Sequence, residues 1–135
     1  MLESHAAVAL VTLAALLLYF WMGLQVGAAR GRFKVEAPAT TGHPEFERHF
    51  RIHQNTLEWL PLFLPSMWLA AFAFGDRLAA ALGVLWIVGR ILYMVGYASD
   101  PKRRSAGFLI QFLATFGLII AAAWGAVQGV IANGI

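Results

Sequence analysis

The sequence predicts an all-α integral membrane protein, a bundle of four transmembrane helices, and three observations carry that prediction. Of its 135 residues, 60% are hydrophobic and only 13% are charged, a balance outside the range of soluble domains. The apolar residues fall into four long blocks that are nearly free of charge, and about 20 such residues make a helix that crosses a hydrocarbon core. The blocks are continuous, whereas strands of a membrane β-barrel would alternate apolar and polar residues.

The first block, Ala6 to Ala29, has no charged residue. As a helix it measures about 36 Å, enough to cross a core of roughly 30 Å with some tilt. Met1-Leu2-Glu3 is acidic where a cleaved leader would be basic, and the apolar run is longer than a leader's, so this segment is expected to stay. The second block, Trp59 to Gly75, is short for a span and must take in the turn before it. That draws Asn55 and Glu58 to the membrane edge.

The second helix is expected over residues 44–74, about 46 Å, with its first turns in the cytoplasm. Pro44 suits a first helical position, and Glu45 and Glu47 complement the dipole of the first turn. Pro61 and Pro65 are expected to bend it. The third block, residues 78–99, is interrupted only by Arg90, and the fourth is uncharged from Ser105 onward, with a helix expected to about residue 131. A single domain over residues 1–135 accounts for the chain, which has no internal repeat.

Basic residues predict the orientation. Arg30, Arg32, Lys34, Arg48 and Arg51 follow the first span, and Lys102, Arg103 and Arg104 follow the third, against only Arg77 on the opposite side. The positive-inside rule places these two connections in the cytoplasm and both termini on the other side, with a bacterial inner membrane as the expected location. The net charge of +3 is then a local patch that sets topology or meets anionic headgroups. Nucleic-acid binding is disfavoured, because no basic-aromatic face is left outside the bilayer. The absence of cysteine excludes disulfides, a protein thiolate and cysteine-ligated metals.

Polar residues cluster near the cytoplasmic face. Arg48, Arg51, Asn55 and Glu58 recur every three or four residues, which puts them on one face of the second helix. Such a stripe descending into a membrane points to a functional site. On the third helix Arg90, Tyr93 and Tyr97 share a face, and Gly96 permits close approach of another helix. An arginine inside the membrane needs a partner, and Glu58 is the natural one, within or between subunits, unless Arg90 snorkels; the tyrosines could equally be interfacial anchors. A pocket of arginines, Asn55, one carboxylate and two phenols suits an anion that also carries an amine and amides. Glutathione fits that description, as do phosphorylated or acidic lipids. His49 and His53 have metal-ligand spacing without an evident third ligand, so no metal is expected. No role is assigned to His5 or His43.

The same residues resemble the MAPEG family, the membrane-associated proteins of eicosanoid and glutathione metabolism. The resemblance rests on the run from Ala37 to Arg48 (APATTGHPEFER), on Arg51, Asn55 and Glu58 with Pro61-Leu62-Phe63, and on Gly89 to Tyr93 with Gly96-Tyr97. It is strongest to the branch that holds the microsomal glutathione transferases of types 2 and 3 and leukotriene C4 synthase. It implies a homotrimer with glutathione bound between subunits near the cytoplasmic face. It further implies glutathione contacts at Arg30, Arg51, Asn55, Glu58, Tyr93 and Tyr97 and a thiol-activating Arg104, with His53, Arg90 and Ser105 as further candidates beside them. Trp59, His53 and Gly31 depart from the branch's pattern at positions where it has tyrosine, glutamine and a second arginine.

The expected chemistry is addition of the glutathione thiolate to a lipophilic electrophile drawn from the bilayer, with peroxide reduction as an accompanying activity. Trp59, Trp86 and Phe108 either contact that second substrate or simply pack. An isomerase of the prostaglandin E synthase type stays open through His53 and the pair Arg104-Ser105. From other classes, a small proton-coupled exporter using Glu58 and a non-catalytic glutathione- or lipid-binding protein also stay open.

Overall fold

Each apolar block becomes one unbroken helix. The computed structural model describes residues 3–134, so Met1 and Leu2, on which the leader reading partly rests, and Ile135 lie outside the described residues. The helices are α1 (Ala6–Phe33), α2 (Pro44–Phe74), α3 (Asp76–Ser99) and α4 (Ser105–Asn133), with short 3-10 turns at Glu3–His5 and Pro101–Arg104. All four are long and apolar enough to cross a membrane. α2 and α3 form the middle of the bundle, with α1 and α4 each packed against both.

The helix ends follow from capping chemistry. α1 continues past Ala29 because Arg30 and Arg32 in its last turn complement the helix dipole. α2 starts at Pro44, with His43 as its cap: His43 Nδ1 accepts from the Glu45 N–H at 3.2 Å, and the ring stacks on Phe33 at 4.1 Å. α3 begins at Asp76, ahead of its apolar block, and the Asp76 carboxylate accepts the backbone N–H groups of Ala7 and Val8 at 2.9 and 3.2 Å. These are among the N–H groups that α1 itself cannot satisfy. His5 lies 3.7 Å from the same carboxylate and edge-on to Trp68 and Phe72. Of the two histidines without a role in the sequence, His43 thus caps a helix through its side chain, while His5 precedes α1 without a side-chain cap bond.

The core lies between α1, α2 and α3 and reaches α4. Phe63 and Trp86 stack face to face at 4.0 Å, both fully buried, against Val8, Val11, Met67 and Leu118. α2 stays helical through Pro61 and Pro65. α3 and α4 cross at bare backbone: a Cβ on Gly89 would sit 2.6 Å from the Gln111 nitrogen, and one on Gly107 would meet the Tyr93 nitrogen. Outward faces carry Leu10, Leu13, Phe20, Leu109, Leu113 and Phe116 exposed, as a lipid-facing surface requires.

Candidate functional site

The polar residues of α2 and α3 form one connected cluster. Arg51 and Glu58 pair at 3.3 Å, with two helical turns between them. Asn55, between them on the same face, donates through Nδ2 to the other Glu58 oxygen at 3.2 Å. The oxygen of Asn55 accepts from Arg90 Nη1 and Nη2 at 3.0 and 2.9 Å, and Arg90 also donates to Thr56 Oγ1 at 2.9 Å. On α3, the Arg90 guanidinium lies 4.3 Å from the Tyr93 ring centre, Tyr93 and Tyr97 are 5.6 Å apart, and Arg104 lies 5.5 Å from Tyr97.

Two expectations are corrected by this geometry. Arg90 does not pair with Glu58: it is fully buried and held by the neutral acceptors Asn55 and Thr56, while Glu58 goes to Arg51. Asn55, buried one turn along α2 from the half-exposed Glu58, accepts the guanidinium in its place. Arg48 leaves the stripe as well, donating to the carbonyls of Ala98 and Ser99 at 3.3 Å each. It satisfies the end of α3, where a cation is favourable.

Arg51, Asn55, Tyr93, Arg104 and Phe108 line a cleft of about 290 Å³ between α2, α3 and α4. Arg104 is the residue preceding α4, so its charge and the positive end of the helix dipole act at one place. The tight turn that puts it there depends on Gly96, where a Cβ would sit 2.5 Å from the Arg103 carbonyl oxygen. Gly96 thus admits this turn, where the approach of another helix was expected. Ser105 is exposed at the first position of α4. The donor set around the cleft suits an anion, with forked donors from two arginines, an amide N–H, a phenol and a single carboxylate beside them.

Other residues named from sequence lie elsewhere on the chain. Arg30 sits over the Phe46 ring at 4.7 Å and donates to the carbonyls of Ala39 and Val35, fastening the connection between α1 and α2. His53 is two residues past Arg51, about 200° round the helix, and stacks on Tyr19 of α1 at 4.5 Å. Among the described residues no group of three or more histidines, cysteines or acids could hold a metal ion. Trp86 is fully buried in the core, which leaves Trp59 and Phe108, in edge-to-face contact at 5.6 Å, as the aromatics beside the cleft. A larger cleft of about 450 Å³ between α1, α2 and α3 is mostly apolar, with His49 its one titratable side chain.

Thr56 and Gln111 escaped the sequence reading. Thr56 is an unremarked hydroxyl next to Asn55, and Gln111 is fully buried on α4 with both amide atoms unpartnered among the described residues. A polar residue in an otherwise apolar span was the available signal for both.

The model of the MAPEG family matches residues 8–124. The chain belongs to the MAPEG family. Among its relatives is an uncharacterized protein of Synechocystis sp., 43% identical over 84% of this chain and 83% of that one. Human microsomal glutathione S-transferase 2 is 45% identical over 67% of this chain and 62% of its own length. Bovine leukotriene C4 synthase is 39% identical over 93% of this chain and 83% of that enzyme. The MAPEG match covers all the elements that build the cleft, from Arg51 on α2 to Phe108 on α4.

Proposed function

We propose that this MAPEG chain is a membrane-bound glutathione transferase that adds the glutathione thiolate to a hydrophobic electrophile and can also reduce peroxides with glutathione, in a detoxifying role. The observation that carries the reading is the convergence of Arg51, Asn55, Tyr93 and Arg104 on one cleft, with Glu58 tied to its wall. The relatives named above as a glutathione transferase and a leukotriene synthase support the same chemistry.

In this reading Arg51 and Asn55 receive the carboxylates and carbonyls of glutathione, Glu58 receives its amine, and the hydroxyls of Tyr93 and Tyr97 flank the thiol. A free thiol with a pKa of about 8.5 is only about 3% ionised at pH 7. Lowering that value by two units takes about 2.7 kcal/mol of preference for the anion. An arginine about 4 Å away at an effective dielectric of about 20 supplies about 4 kcal/mol, and in this reading Arg104 takes that role. The second substrate enters sideways from the bilayer past Trp59 and Phe108.

The working assembly is a homotrimer in which a neighbouring subunit closes the open side of the cleft and brings Arg30 and His53 to it. The clefts face the cytoplasm and both termini the opposite side, in a bacterial inner membrane. Equilibrium binding of glutathione to the detergent-purified protein, followed by conjugation to a reactive aryl halide, tests this. Saturable binding with turnover is expected; no binding at millimolar glutathione would overturn it.

A further inference from the structure

The side-chain amide of Asn55 is held in one orientation. Its oxygen accepts from both terminal nitrogens of Arg90, and a guanidinium has donors only. Turning the amide over would set its N–H groups against those donors, so the oxygen stays inward and the nitrogen outward. Arg90 has nowhere else to turn. It is fully buried, its Nε has no partner, and no carboxylate of the described residues lies within ion-pair distance. Among the described residues, Asn55 and Thr56 are the only side chains that answer its charge with oxygen atoms, and the face of Tyr93 closes over it.

The outward nitrogen of Asn55 then donates to one oxygen of Glu58, and Arg51 holds the other. Orientation therefore passes from a buried charge on α3, through an amide, to a half-exposed carboxylate at the cleft wall. The proposed chemistry uses Asn55 and Glu58 and leaves Arg90 unused, although its burial without an acid is costly.

We propose that Arg90 is a positioning residue that, acting through Asn55, makes the α2 wall of the cleft donor-only apart from Glu58 and so sets which ligands it accepts. With both lone pairs of the Asn55 oxygen taken, that residue offers only N–H, and Arg51 and Arg104 are donors too. A ligand must bring carboxylate or carbonyl oxygens to this wall and one cationic amine to Glu58. This inference rests on the glutathione reading for its choice of probe.

The test is a double-mutant cycle on the full-length protein in detergent, read by calorimetric titration with glutathione. Arg90→Gln is expected to weaken binding at least about tenfold, although Arg90 contacts only protein groups. In an Asn55→Ala background the same substitution should cost less than about threefold, because its effect runs through that amide. Losses that multiply would assign Arg90 to general packing and overturn the proposal. If Arg90→Gln does not fold, Arg90→Lys serves in the same cycle, since an ammonium keeps the charge without the fork that takes both lone pairs.

A ligand-free measurement separates this inference from the transferase reading. The Asn55 Nδ2 proton bonded to Glu58 should exchange with solvent more slowly in the parent than in Arg90→Lys. A parent that fails to bind glutathione would sink the transferase reading while this comparison still decides the orientation. Identical exchange in the two proteins would overturn it.

Discussion

Asp76 caps a helix that is not its own: its carboxylate, at the start of α3, accepts the backbone N–H of Ala7 at 2.9 Å, at the start of α1. The sequence separation is 69 residues, so this one side chain ties the first span to the turn between the second and third. Asp76→Ala leaves the N–H groups of Ala7 and Val8 without that acceptor, and loss of a side-chain cap costs about 1 kcal/mol, up to about 2. Asp76→Asn, which keeps one acceptor oxygen, should lose less. Thermal unfolding in detergent checks both; an unchanged midpoint in Asp76→Ala would mean that solvent satisfies these groups as well.

The crossing of α3 on α4 depends on Gly107. A Cβ there would run into the Tyr93 nitrogen and sit 2.6 Å from the Gly89 carbonyl oxygen, both backbone atoms that cannot step aside. Gly107→Ala should force the helices apart, lower stability by about 1–3 kcal/mol as overpacking does, and shift Tyr93 and Phe108 at the cleft. Gly129→Ala, with nothing within 4 Å of the added carbon, is the control and should leave stability unchanged or slightly raised. Equal behaviour of the two variants in a thermal melt would count against the close crossing.

The four spans were legible because charge-free runs of helical length have few other physical outcomes. The α2 stripe was legible because a period of 3.6 puts residues 51, 55 and 58 together whatever surrounds them. What the period does not contain is which neighbour each side chain meets. Arg90 and Glu58 are the obvious opposite charges of the interior, yet Asn55 reaches Arg90 first. Arg48 keeps the spacing of the stripe but is drawn to the unsatisfied carbonyls ending α3. His53 lies close to Arg51 in the sequence and on the far side of the helix, a separation that the same period already contained. The contacts of Asp76 and Gly107 depend on residues far away in sequence, which no local pattern encodes.

On the α2 wall, Arg51→Ala and Glu58→Ala should each weaken glutathione binding at least about tenfold, since each removes a charge-assisted contact from a partly desolvated site. Lys102→Ala should not, as Lys102 is exposed and lies outside the cleft lining. Titration calorimetry on folded variants provides the comparison. Unchanged affinity in both wall variants would move the binding site off α2.

The role given to Arg104 is the most demanding, because it separates activation of the thiol from binding of the tripeptide. Arg104 is exposed in the single chain, beside Tyr97 and at the start of α4, where its interaction with glutathione is expected chiefly with the thiolate. Arg104→Ala should therefore slow conjugation of glutathione to an aryl halide about a hundredfold or more at pH 7 while affinity falls much less. The deficit should shrink with rising pH. A thiol bound without the arginine ionises near its solution pKa of about 8.5, so the variant's rate climbs between about pH 7 and 9 while the parent's is already near its plateau. Thiolate absorbance in the far ultraviolet should follow the same shift without turnover. A variant that keeps the parent's rate and pH profile would leave Arg104 a topology-setting charge and pass the thiol to Arg103 or to Tyr97.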